Sequence, residues 1–125
     1  MRISMYTIAL FATLGIGTVA QAADLLGTRT VNYGSETDVI VVGGPKTYRS
    51  VRICVHRHAV EFSDLDIIYG NGGHHDVAVR RVIPKGECTR WIDLKGPRRI
   101  VQKIVLRYDT WGNTGPRAMI TARGK

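Results

Sequence analysis

The sequence predicts an all-β protein: a single-domain antiparallel β-sandwich, jelly-roll-like, with about seven to eight strands. Two observations support this fold class. Apolar and polar residues alternate in segments such as Arg49–His56, and turns that contain Gly or Pro recur at near-regular intervals. No stretch shows the 3.6-residue period of an amphipathic helix. A closed β-barrel is the alternative architecture for the same pattern.

A signal peptide is predicted at residues 1–22, ahead of the β-sandwich domain at 23–125. Arg2 supplies a positive charge, residues 5–19 form a short apolar run, and Ala20-Gln21-Ala22 matches the small-x-small cleavage pattern. The run is too short to span a bilayer comfortably as an uncleaved anchor. We therefore expect a mature chain that begins at Ala23, has no transmembrane segment, and is periplasmic or secreted.

The first half of the domain is predicted to contain four strands. Gly43-Gly44-Pro45 and Asn71-Gly72 are turn sequences, and the second is typical of a β-hairpin. The apolar phase shifts between Val55 and Val60, which predicts a bulge or a turn near residues 56–59. The four strands are Thr28–Tyr33 at a sheet edge, Thr37–Val42, Arg49–His56 and Leu65–Tyr69.

The second half is predicted to contain four more strands, with a loop at Trp111–Pro116 before the last one. Trp91 is the large apolar member of its strand. In the longest strand Ile100 is expected on the same face as Ile104, with Gln102 interrupting that face. The four strands are Val77–Ile83 with Arg80 and Arg81 in its middle, Cys88–Leu94, Arg98–Tyr108 and Arg117–Arg123.

Two cysteines, Cys54 and Cys88, are present. After export they would lie in an oxidising compartment, where one disulfide is the expected outcome for a pair. Two free buried thiols are the main alternative, and a metal-binding or catalytic role is a third. The spacing excludes a CxxC redox motif.

The order of strands resembles the YaaI-like family of small exported bacterial proteins, a domain whose function is not known. The resemblance covers residues 49–108 and rests on Arg52-Ile53-Cys54-Val55, Ile83-Pro84-Lys85-Gly86 and Thr89-Arg90-Trp91-Ile92-Asp93. The basic pair Arg98-Arg99 before Gln102 completes it. The chain also resembles, at the level of fold, the discoidin-type jelly-roll sandwiches, which bind sugars or lipid surfaces through loops at one end. Neither resemblance implies catalytic residues.

The strong positive charge points to an anionic partner. The net charge is +8, and removal of Arg2 with the signal leaves +7. Such a chain is expected to meet an anionic glycan, lipopolysaccharide or a lipid headgroup, whereas nucleic acid is not the expected partner. The alternative is that the charge only keeps a small domain soluble. The candidate ligand-binding residues, arginines and aromatics near turns, are Arg98, Arg99, Tyr69, Tyr108, Trp111, Arg80 and Arg81.

The histidines suggest a second function, that of a periplasmic metal-binding protein. Imidazole and carboxylate are ligands that suit Zn²⁺ or Cu²⁺, but the basic neighbours disfavour a cation. The candidate ligands are His56, His58, His74, His75 and Asp76. A small hydrolase ranks third, because the chain offers carboxylates but little room for a deep cleft. The sequence thus favours a non-enzymatic binding or structural module of the bacterial envelope that needs no cofactor.

Overall fold

The structure, a computed structural model, describes residues 23–111 and 115–125. The predicted signal peptide at 1–22 and part of the predicted loop Trp111–Pro116 lie outside the described residues. No helix occurs within the described ranges, and so none there could cross a membrane. The strands are β1 (Asp24–Thr30), β2 (Gly34–Val41), β3 (Thr47–Tyr48), β4 (Ser50–His56), β5 (Val60–Tyr69), β6 (His74–Val77), β7 (Arg81–Ile83), β8 (Ile92–Asp93), β9 (Arg99–Thr110) and β10 (Met119–Gly124).

Two antiparallel sheets form the predicted sandwich. The four-stranded sheet has the order β1-β10-β4-β8, and the six-stranded sheet has the order β2-β9-β5-β6, with β3 added to β9 and β7 added to β5. The chain crosses between the sheets several times, so that β1 and β2, or β4 and β5, belong to opposite layers, whereas β5, β6 and β7 share the six-stranded sheet. The strands outnumber the predicted seven to eight because the sequence does not predict the two-residue strand β3 and because the region of the predicted strand Val77–Ile83 contains two strands, β6 and β7.

The core lies between the two sheets. Residues of alternating position along β4 and β5, including Ile53 and Phe62, point inward and are almost fully buried. Ala118, which precedes β10, and Ile120 and Ala122 on that strand are buried, which confirms the face expected for them. One continuous apolar cluster joins both layers, as expected for a domain of this length.

The predicted strand Val77–Ile83 is wrong, because the chain breaks into β6 and β7 there. The long strand β5 contains a bulge between Phe62 and Asp64. β6 pairs with β5 beyond this bulge, and β7 pairs with it before the bulge. The bulge interrupts the ladder between the two pairings.

The predicted face of Ile100 is also wrong. On β5 and β9, Ile68 pairs with Lys103 whereas Tyr69 pairs with Val101, so Gln102 is the extra residue of a bulge. The extra residue reverses the inward and outward phase. Val101 is therefore buried, and Ile100 is exposed.

The predicted disulfide between Cys54 and Cys88 is confirmed, with an S–S distance of 2.05 Å. The predicted strand Cys88–Leu94 is mostly wrong, since only β8 is regular. Cys88 forms an isolated bridge to Cys54 on β4, which places the segment before β8 beside the four-stranded sheet. The disulfide therefore ties this irregular segment to the sheet.

The predicted turns at residues 56–59 and Asn71-Gly72 are confirmed. The chain turns at residues 56–59, where Arg57 has a φ of 74° and the amide of His58 donates to the carbonyl of His56. The β5–β6 hairpin closes through Gly72, whose φ of 88° suits glycine.

Candidate functional site

The candidate ligand-binding residues fall at two opposite ends of the sandwich. Arg98 and Arg99 lie at the start of β9, and Tyr69 at the end of β5 pairs with the start of β9. Tyr108 lies nine residues after Arg99 on β9, about 30 Å away at the usual rise of a strand. We call the end formed by residues 24–25, 41–50, 69–74 and 94–103 the basic end, and the opposite end the far end.

The far end holds the other four candidates. Arg81 pairs with Phe62, and Phe62 pairs with Tyr108, so these residues form one row across the six-stranded sheet. Arg80 precedes this row and Trp111 follows β9 directly. The structure therefore does not gather the seven candidates into one patch.

A groove with a volume of about 510 Å³ opens at the basic end. Gly43 and Gly44 form one wall with φ values of 65° and 75°, a conformation that glycine adopts without strain. Gly70 is required on another wall because a Cβ atom there would lie 2.8 Å from Cγ2 of Ile100. The groove is lined by Gly43, Gly44, Thr47, Gly70, Asn71, Arg98, Arg99, Ile100 and Gln102.

Hydrogen bonds to neutral oxygens hold both groove arginines. Arg98 donates from Nε to the hydroxyl of Thr47 at 3.0 Å and from Nη2 to the carbonyl of Thr47 at 2.6 Å. Arg99 donates from Nη1 to the carbonyl of Lys95 at 3.1 Å and from Nη2 to Oδ1 of Asn71 at 3.4 Å. These bonds position the two guanidinium groups without neutralising them.

Neither groove arginine has a carboxylate partner among the described residues. The ion pairs there join Arg29 to Asp38 at 2.7 Å, Lys46 to Asp24, and Arg107 to Asp64 at 3.5 Å. The hydrogen bond from Lys46 to Asp24 is the main reason why the pKa of that lysine is raised. Two positive charges of the groove therefore remain uncompensated.

Tyr69 supports the groove from below and does not face it. Its side chain is buried, and its ring face lies 3.9 Å from Cζ of Arg99, a cation–π contact. Its hydroxyl accepts a hydrogen bond from the amide of Lys95 at 3.0 Å and pairs with Nδ1 of His75 at 2.9 Å. Burial, followed by the charge of Lys95, lowers the pKa of His75. Tyr69 thus positions Arg99 and does not offer its ring to a ligand.

Tyr108 and Trp111 differ in exposure. Tyr108 is buried, and its hydroxyl donates to Oδ2 of Asp38 at 3.4 Å. Burial, with the nearby charge of Asp38, raises the pKa of Tyr108 to about 12. Trp111 is half-exposed. Of the aromatic candidates, Trp111 alone offers a ring that a ligand could reach.

Trp91 is a feature that the sequence reasoning missed. It was expected as the apolar member of a strand, but it lies outside the regular strands, and its ring centroid is 4.6 Å from Cζ of Arg52 and 4.3 Å from Nζ of Lys125. These cation–π contacts join Trp91 to β4 and to the last residue of the chain. No local signal in the sequence identifies them, because the three residues are far apart in the chain.

The histidines do not converge. His56 lies at the end of β4 and bonds to the hydroxyl of Thr121 at 3.2 Å, while His58 in the following turn bonds to the carbonyl of Ala59 at 2.8 Å. His74 and His75 pair with the last part of β5, whereas His56 and His58 lie just before its first residue. Among the described residues, the metal-compatible grouping is instead Asp64, Asp66 and Asp76, and Arg107 already pairs with Asp64. The proposed histidine site therefore has no common centre.

Comparison with known proteins yields a family match. A family model described as Domain of unknown function (DUF2541) matches residues 5–124. No curated protein matches the chain, and no solved structure matches it. The YaaI-like and discoidin-type resemblances are not tested by this match and stay predictions.

Proposed function

The chain belongs to the DUF2541 family, a domain of unknown function, and we propose that it binds an anionic group in the groove at Arg98 and Arg99. The observation that supports this most directly is the pair of guanidinium groups that line one groove without a carboxylate partner among the described residues. In this proposal the protein is a non-enzymatic binding module of the bacterial envelope.

The groove arginines retain the capacity to bind a ligand. Arginine has five N–H donors, and each of the two uses two of them in its contacts with the described residues, which leaves three. Planar guanidinium groups bind carboxylate or phosphate oxygens in a bidentate manner. Because Thr47 and Asn71 already hold the side chains, less side-chain entropy is lost when a ligand binds. An acidic glycan, lipopolysaccharide or a lipid headgroup supplies the matching oxygens.

Export forms the second part of the proposal, and the resemblance to the YaaI-like family of exported proteins agrees with it. The disulfide between Cys54 and Cys88 supports it physically, since disulfides persist in oxidising compartments such as the periplasm or the exterior of the cell. Mass spectrometry of the protein from the cell envelope should show an N-terminus at Ala23. A chain that still begins at Met1 would contradict export with cleavage.

The groove is tested by two variants that lose the same charge at opposite ends. Arg98→Gln/Arg99→Gln removes both groove charges, and Arg80→Gln/Arg81→Gln removes two exposed arginines of the far end. On immobilised heparin and lipopolysaccharide, we expect the first variant to lose about 3 kcal/mol of binding, since a hydrogen bond to a charged group contributes about 1.5–3 kcal/mol. The second variant should retain most of the binding. Equal losses would mean that only net charge matters, and the groove assignment would then be wrong.

Salt dependence supplies an independent measurement. Surface charges separated by more than about 10 Å are screened at 0.1 M salt, so retention should weaken steeply across a salt series. Each double variant should still unfold in one cooperative urea transition, because the four arginines lie at the surface. The groove variant should have a slightly lower midpoint, since it loses the hydrogen bonds of Arg98 and Arg99 and the contact with the Tyr69 ring. Absence of retention on both supports at low salt would refute the proposed function.

A further inference from the structure

Exposed apolar side chains occur at the basic end. Of the five large apolar residues that the described ranges expose, three lie at this end: Val41 at 73%, Leu25 at 56% and Ile100 at 37%. Val82 and Trp111 are the other two, and both lie at the far end. Val41 and Leu25 are not part of the groove lining, so binding of a soluble anion there does not explain their exposure.

Strand pairing brings these apolar residues to the same end as the groove. Val41, the last residue of β2, pairs with Lys103 near the start of β9. Leu25 follows Asp24, which forms an ion pair with Lys46 in the loop after β2. Ile100 lines the groove itself. The three side chains therefore come from three strands and both sheets.

Uncompensated basic residues accompany the apolar ones. Lys95, Arg98, Arg99, Arg49 and Lys103 all belong to the basic end, and none forms an ion pair within the described part of the chain. Of the acidic residues nearby, Asp24 pairs with Lys46, whereas Asp93 accepts a hydrogen bond from the neutral hydroxyl of Ser50 at 2.9 Å and keeps its charge. Positive charge and apolar surface thus coincide at one end of the molecule.

We propose that the basic end docks on an anionic lipid bilayer, with Arg98 and Arg99 on the headgroups and Val41, Leu25 and Ile100 at the apolar boundary. This inference rests on the proposed function, because it identifies the anion of the groove as a lipid phosphate. Interfacial binding combines electrostatic attraction to anionic lipids with burial of apolar area, and this end supplies both. A soluble acidic glycan would use the charges alone.

The turns at the basic end suit close approach to a surface. Gly43-Gly44-Pro45 and Gly96-Pro97 carry small side chains, and Gly96 has a φ of 85°. The exposed backbone and the adjacent arginines can therefore reach the headgroup layer without bulky side chains in between. Such docking is peripheral, with the β-sandwich outside the bilayer.

The test uses the purified protein and two vesicle types, phosphatidylcholine alone and phosphatidylcholine mixed with phosphatidylglycerol. We expect sedimentation with the anionic vesicles only. Val41→Ser and Leu25→Ser should each lower this binding roughly tenfold, as expected when methyl groups lose an apolar environment. The matched control is Val82→Ser, which changes an exposed valine of the far end and should have no effect.

Heparin retention separates the two proposals. It should be unchanged in Val41→Ser and Leu25→Ser, because both residues lie outside the groove. If these variants bind anionic vesicles as the parent and Val82→Ser do, while heparin is still retained, the bilayer inference is overturned and the groove remains. If the parent protein binds neither heparin nor anionic vesicles at low salt, both proposals fail.

Arg98→Gln/Arg99→Gln should lower vesicle binding about thirtyfold, from the usual contribution of two basic residues near an anionic surface.

Discussion

Removal of the disulfide should destabilise the protein strongly while leaving its fold intact. Cys54 and Cys88 are 34 residues apart, and in the chain-entropy model a loop of this length contributes about 4 kcal/mol. The folded geometry does not depend on the bond alone. The amide of Val55 donates to the carbonyl of Glu87 at 2.9 Å, and the amide of Thr89 donates to the carbonyl of Ile53 at 2.8 Å.

The perturbation is therefore the double variant Cys54→Ala/Cys88→Ala. Small domains have about 5–15 kcal/mol of stability, so a loss of about 4 kcal/mol should lower the unfolding midpoint by roughly 20 °C. Urea unfolding should also show a larger m-value, since the unfolded chain without the cross-link exposes more surface. Reductant should have the same effect on the parent protein and no effect on the variant.

Two results would refute this reasoning. A loss below about 1 kcal/mol would show that the cross-link does not restrict the unfolded chain as the entropy model requires. Thiol labelling of the denatured, non-reduced protein is the second measurement. Two labelled cysteines would show that the disulfide is absent from the protein in solution.

Three further predictions concern single residues. Gly27→Ala should cost about 1–3 kcal/mol in urea unfolding, because its Cβ would lie 2.4 Å from Cγ2 of Ile40, whereas Thr28→Ala on the exposed face should cost little. The pKa of His75 in the folded protein lies below its ordinary value of 6.5. The unfolded chain therefore binds the proton first as the pH falls, so stability should decline below pH 6.5. His75→Asn should flatten this decline. The pKa of Tyr108 is raised to about 12, so the unfolded chain loses its proton first and stability should fall as the pH rises from 10 to 12, and Tyr108→Phe should reduce this loss. An unaltered pH profile in either variant would contradict the corresponding assignment.

The arginine pair of the groove illustrates how far the site could be predicted. A basic pair beside a Gly-Pro turn is visible in the sequence, and Arg98 is exposed in the structure. The partners of the pair are not visible, since Thr47 and Asn71 come from distant parts of the chain. For the same reason, the sequence could not show that Arg80 and Arg81 lie at the far end, about the length of a strand away from this pair.

Residue pattern alone determined the all-β class, the β5–β6 hairpin and the cysteine pair, because each depends on local backbone preference or on a simple count. The two-residue period and the Asn-Gly turn act within a few residues of the chain. Tertiary structure alone decided the bulge at Gln102, which exposes Ile100 at the groove, and the burial of Tyr69 beneath Arg99. Register and burial depend on which strands become neighbours, and long-range packing between two sheets selects those neighbours.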